Sequence, residues 1–182
     1  MTTERFTYLS LKEYGYSDAM ICGIMANIAW ESNYKSSNLE QRFEKKLNMG
    51  DVEYTANVDL GTYTKEQFVN DSAGYGICQW TWKTRKESLY NYAKQNWQTS
   101  IGHPFMQIAF LNKELLQNYK TCYKDMMQAE NTVDGARYCA KRFCQDYEKP
   151  PEIEKRIAER ESTAERLFIK YHNGGGDCYG LD

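Results

Sequence analysis

Ala19-Met20-Ile21-Cys22-Gly23-Ile24-Met25-Ala26-Asn27-Ile28-Ala29-Trp30-Glu31-Ser32 is the stretch whose reading decides the fold. Met20, Ile24 and Ile28 recur every four residues, with Ile21 and Met25 beside them, and this spacing predicts a helix with one apolar face. Ser17 is placed to cap it, and Asp18 falls in the first turn, where the helix dipole favours an acid. Glu31 continues the stripe, three residues beyond Ile28 and seven beyond Ile24. A carboxyl at the edge of a core is partly desolvated. That raises its pKa and keeps its proton near neutral pH, the state a general acid needs. The plainer alternative is an exposed glutamate at a helix end, the usual situation of this residue.

Working outward, Thr3 to Tyr14 reads as a first helix stopped by Gly15, so that the two helices form a hairpin. Beyond Ser32, Ser36-Ser37 are placed to cap a short helix through Leu39, Phe43 and Leu47, closed by Gly50. Asp51 to Tyr63 shows no helical period and predicts a short strand or extended loop. Thr64 to Gln67 has capping-box spacing. Helices are expected over Thr84 to Gln95, from Pro104, from Thr132, and from Pro150-Pro151 to about Tyr171. The charges of that last helix are expected to form a solvated face. The predicted fold class is therefore mainly α, with a small β or extended element near residues 50 to 80. It is expected as one domain over 1–172 and a Gly-rich tail over 173–182, a linker composition that predicts further polypeptide beyond it.

Composition excludes more than it assigns. A chain of 182 residues with a net charge of −2 and a pI near 5.8 lacks the basic balance of a nucleic-acid surface. Fifteen tyrosines and four tryptophans supply flat apolar faces with polar tips, which suit carbohydrate but serve equally as core. The six cysteines form no Cys-x-x-Cys pair and have no histidine at metal-ligand spacing, so neither a metal nor another cofactor is expected. Cys22, Cys139 and Cys144 read as small buried residues. Met1 to Ser10 carries charge and no apolar run, so no signal peptide is expected, and no stretch approaches the ~20 apolar residues needed to span a membrane. A chain of this kind is made in the cytoplasm, and any action outside the cell needs delivery by another agent.

The second informative stretch is Asn70 to Thr81, Asn-Asp-Ser-Ala-Gly-Tyr-Gly-Ile-Cys-Gln-Trp-Thr. Gly74 and Gly76 bracket Tyr75, and glycine admits positive φ and close approach of a backbone or ligand. Such a segment can pass beneath a bound substrate; an ordinary turn entering a buried strand is the alternative.

Taken together, the two stretches resemble a family, the phage tail lysozyme domain, related in fold to goose-type lysozymes and lytic transglycosylases. The resemblance rests on Gly23-Ile24-Met25-Ala26-Asn27-Ile28 leading to Glu31-Ser32. It rests also on Gly74-Tyr75-Gly76-Ile77-Cys78-Gln79-Trp80-Thr81 followed by Arg85-Lys86. Phe143 with Tyr147-Glu148-Lys149-Pro150, then a helix carrying Arg156 and Arg160, completes it over roughly residues 5 to 172. It implies a peptidoglycan muramidase that cuts the β-1,4 bond between N-acetylmuramic acid and N-acetylglucosamine. Glu31 then matches the catalytic acid, and Gly74, Tyr75, Gln79 and Trp80 match the segment lining the glycan cleft. Tyr147 is expected to face that cleft near Glu31.

Glycoside hydrolysis commonly uses a second carboxylate, for which Asp71 is the candidate, with Asp59, Glu53 and Glu40 as runners-up. The alternatives are a lytic transglycosylase giving 1,6-anhydro products and a peptidoglycan-binding module that no longer cuts. The implied partners are peptidoglycan glycan strands and other proteins of a tail or secretion apparatus.

Overall fold

The computed structural model describes residues 1–173; residues 174–182, with the glycine run and Cys178, lie outside the described residues, as does nearly all of the expected tail. In chain order the helices are α1 (Thr3–Lys12), α2 (Asp18–Ser32), α3 (Gln41–Leu47), α4 (Asp51–Leu60), α5 (Lys65–Asn70), α6 (Lys83–Asn91), α7 (Pro104–Gln117), α8 (Lys120–Met127), α9 (Val133–Phe143) and α10 (Ile153–Phe168). Single π-helical turns at Tyr92–Asn96, Cys144–Glu148 and Ile169–Asn173 extend α6, α9 and α10. Among the described residues there is no sheet, and the fold is mainly α. No described helix is long and apolar enough to cross a membrane.

The chain falls into two compact units, one of Met1–Trp30 with Glu114 onward and one of Glu31–Lys113. In the first, α2 is not the one-faced helix its spacing predicts. Every residue from Ala19 to Ile28 is buried. A helix apolar all round is one that neighbours cover on every side. Two orphan N–H groups at its start are satisfied by side chains: Met20 N donates to Ser17 Oγ at 3.2 Å and Ala19 N to Asn131 Oδ1 at 2.9 Å. Gly23 makes room for α9, since a Cβ there would overlap the Cβ of Cys139.

Asn27, the one amide in this apolar run, has its bonds accounted for. Its Nδ2 donates to Gly23 O at 3.0 Å and Ala140 O at 3.1 Å, and its Oδ1 accepts from Arg160 Nε at 3.2 Å. Arg160 is thus buried, an exception to the solvated face expected of α10, where α10 packs along α9. A buried guanidinium is tolerated because its donors are spent on fixed acceptors.

At the start of α2, Asp18 accepts from Tyr8 Oη at 2.6 Å and Lys12 Nζ at 2.5 Å, and its Oδ2 lies 2.8 Å from His172 Nδ1. Burial opposes its ionisation, but hydrogen bonds from His172, Lys12 and Tyr8 and the charge of Lys12 outweigh it and hold Asp18 at about 2, below its ordinary 3.8. A depressed folded-state pKa contributes stability that is present above 3.8 and lost as pH falls through about 2. Urea melts at pH 5 and pH 2.5 should therefore show a smaller acid-side loss of stability for Asp18→Asn than for the wild type.

The second unit departs from the expected β element. Asp51 to Leu60, read as strand or loop, is helix α4, with Tyr54 and Val58 inward. Its buried residues fall four apart at 54 and 58, a helical spacing that the exposed Val52 and Leu60 disguise. Ser36 and Ser37 do not cap α3; Glu40 stands at that position, and Asn48 in the left-handed region closes the helix, while Gly50 opens α4. The capping box at Thr64–Gln67 is present. The extended element lies after α5, at 71–82.

Candidate active site

Residues 74 to 81 form a tight loop closed on itself. Tyr75 N donates to Trp80 O at 3.2 Å and Trp80 N to Tyr75 O at 2.9 Å. A second strip, 38–40, runs beside it: Gly76 N donates to Asn38 O and Glu40 N to Gly74 O, both at 2.9 Å. The result is two isolated antiparallel bridges, Leu39 to Tyr75 and Tyr75 to Trp80.

Both glycines are needed, for different reasons. Gly76 has φ of +78°, and a Cβ there would meet the Gln107 amide at 2.7 Å. Gly74 has ordinary φ, but a Cβ would meet Gln79 Oε1 at 2.7 Å. Gln107, wholly buried on α7, clamps the loop from below. Its Oε1 accepts from Ile77 N at 3.0 Å, and its Nε2 donates to Ser36 O and Ile101 O, both at 2.7 Å.

Glu31 lies partly buried in the last turn of α2. Its neighbour Ser32 donates from Oγ to Ile77 O at 3.0 Å, a buried bond. This bond fixes the helix end that carries Glu31 onto the middle of the loop. The two stretches that stood 45 residues apart in sequence are thereby one structural feature.

The aromatic residues of the loop turn inward. Tyr75 is wholly buried, donor or acceptor to Thr55 Oγ1 at 2.7 Å, with its ring centroid 5.5 Å from Tyr54 and 5.8 Å from Phe68. Burial drives its phenol pKa up, so it stays neutral. Trp80 is wholly buried, edge-on to Phe110 at 5.3 Å. Neither ring has surface to offer a sugar, in contrast to their expected place in the cleft lining; both anchor the loop from beneath. Gln79 keeps some exposure, at φ of +45°, its Nε2 donating to Asn38 O at 3.0 Å and Gly76 O at 3.1 Å. Trp82, just past the loop, is the exposed tryptophan of this stretch.

Tyr147 belongs to the other unit, buried beside Phe143 and Tyr119, where its hydroxyl donates to Glu114 Oε2 at 2.5 Å. Expected at the glycan cleft, it is a core residue within that unit.

Asp71 is tied down. Oδ1 accepts from Lys86 Nζ at 2.5 Å and Ala73 N at 2.8 Å; Oδ2 accepts from Tyr54 Oη at 2.5 Å and Tyr63 Oη at 3.3 Å. A carboxylate offers about four lone-pair sites, so these four donors fill it. Its side chain is 6 % exposed and that of Lys86 is 0 % exposed. Lys86 also donates to Ala73 O at 2.9 Å and lies 4.3 Å from the Phe68 ring centroid. Burial of the ammonium, only partly offset by Asp71, holds Lys86 below its ordinary 10.5. Asp71 and Lys86 therefore pin the entrance of the loop.

Gln107 and Lys86 each stand on an apolar stripe in the sequence. Gln107 is four residues before Leu111 on the inward face of α7, and Lys86 precedes Leu89 and Ala93 by three and seven. A polar group on an apolar stripe has to find a partner, and both do.

Residues 2–171 match the model of one protein family, described as phage tail lysozyme. No curated protein and no solved structure matches the chain.

Proposed function

This chain belongs to the phage tail lysozyme family, and from that premise we propose that it is a muramidase in which Glu31 is the general acid. Its family places it among peptidoglycan-lytic, phage-associated proteins. The bond from Ser32 Oγ to Ile77 O carries the finer reading, because it holds a partly buried carboxyl-bearing helix end against a rigid, glycine-built loop. A general acid has to be kept within hydrogen-bond reach of the bond it protonates, and rigid support on a secondary-structure element supplies that.

In this reading the glycan strand lies over residues 74–79, its N-acetyl groups meeting the loop. Gly74 makes room for the Gln79 side chain, whose Oε1 offers an acceptor, while Tyr75 and Trp80 stiffen the loop below. Glu31 gives its proton to the glycosidic oxygen as the bond to the muramic acid C1 breaks. We place the enzyme on a virion tail or a comparable delivery apparatus, the family description being the support for this.

Digestion of purified peptidoglycan followed by mass spectrometry tests the reaction. Soluble muropeptides ending in reducing N-acetylmuramic acid are expected. Products ending in 1,6-anhydro sugar would assign a lytic transglycosylase, and co-sedimentation with walls that release nothing would assign a binding module.

A further inference from the structure

We propose that Glu40 is the second carboxylate of this site, directing the water that attacks the muramic acid C1. The inference rests on the muramidase reading and adds to it the group that Glu31 lacks. Glu40 belongs to the strip 38–40 that pairs with the loop, and it holds the loop through both main chain and side chain. Its N donates to Gly74 O at 2.9 Å, and its Oε2 accepts from Gly74 N at 3.1 Å. The carboxylate is thus fixed at the same loop to which Ser32 fixes the end of α2.

Availability separates it from Asp71, Asp51 and Asp59, and its bonds to Gly74 separate it from Glu53, which is exposed on α4. Asp71 has all four acceptor sites filled and almost no exposure. Asp51, with a side chain 13 % exposed, accepts from Leu39 N and Lys35 Nζ and holds the start of the strip. Asp59 is engaged on one oxygen by two donors, Lys94 Nζ and Ile101 N. Glu40 is 28 % exposed, and the partner of its Oε1 is Arg42, whose own side chain is 72 % exposed. An exposed ion pair of this kind is weak and exchanges readily with water. With one donor on each oxygen, the carboxylate keeps lone pairs for a water molecule.

The step balances as follows. Glu31 transfers its proton to the glycosidic oxygen, and the electron pair of the C1–O bond goes to that oxygen. Water forms the new C1–O bond and gives one proton to the Glu40 carboxylate. Glu40 then returns that proton through solvent to Glu31, so one water is consumed per bond cut. Attack from the face opposite the leaving group gives inversion at C1.

Glu40→Gln retains an oxygen for Gly74 N and removes only the basic charge. With fold confirmed by melting, kcat on purified peptidoglycan should fall ~10²-fold or more, the scale of general-base catalysis, with KM little changed and the acid limb of the pH profile lost. Glu40→Ala should fall similarly and be restored in part by azide, with a glycosyl azide as product. A wild type that releases no reducing ends overturns the muramidase reading and this inference with it. An active wild type beside a fully active, folded Glu40→Gln overturns this inference alone. So does an inactive Glu40→Ala that azide does not rescue.

Discussion

Glu31→Gln is expected to release muropeptides from purified peptidoglycan ~10²–10⁴-fold more slowly than the wild type, with the fold intact. The amide keeps the shape and most hydrogen-bonding capacity of the carboxylic acid and loses only the transferable proton. The glycosidic leaving group is a poor alkoxide, so a reaction deprived of its acid has no cheap alternative. Stability should hold or rise slightly, because an amide is less costly to bury than an ionisable group. The bond from Ser32 to Ile77 involves the neighbouring side chain and survives the substitution. Near-wild-type release by a folded Glu31→Gln protein would show that the acid lies elsewhere.

The second large effect is expected at Lys86. Lys86→Met fits the same slot against Phe68 but leaves Asp71 buried with one donor fewer. Breaking a buried ion pair by removing one partner costs about 3–5 kcal/mol, and for a chain of this size each kcal/mol lowers the melting temperature by about 2–4 °C. The loss should be strongly non-additive. Asp71→Asn alone strands the ammonium, whereas the double substitution Lys86→Met with Asp71→Asn removes both charges and should recover much of the stability. Additive melting shifts would mean that the two groups are not energetically coupled. Because Lys86 also holds Ala73 O, the single variant should lose activity at temperatures well below its melt.

Much of the fold was legible in the sequence because its signals are local. Ser17, Thr64 and Thr132 cap where expected, and Pro104 opens α7. The segment 51–60 hides its helical character because its buried face rests on only Tyr54 and Val58, while its other large apolar residues, Val52 and Leu60, are exposed. Helix α8 was passed over, its inward side consisting of only Cys122 and Met126. At the site, spacing singled out each of the two stretches separately, and the fold joins them through Ser32, which donates to Ile77 O. Spacing could not tell which aromatic rings of the loop face solvent. Tyr75 and Trp80 face inward because the loop closes on itself between these two residues and is held by long-range main-chain bonds to residues 38–40. Those bonds leave no periodic trace in either segment.

The cysteines have a consequence for the order of events in the life of this chain. All five described cysteines are buried. Burial pushes Cys22, Cys122 and Cys139 up to about 12, so almost none of their reactive thiolate exists near neutral pH. In the folded molecule they are filler, beyond the reach of oxidants. Unfolded, the six cysteines of the sequence admit fifteen complete pairings. An oxidising medium therefore threatens the described thiols chiefly before the chain folds or after it opens, and a molecule of this kind that acts outside a cell has to leave the reducing interior already folded or be refolded faster than its thiols can scramble.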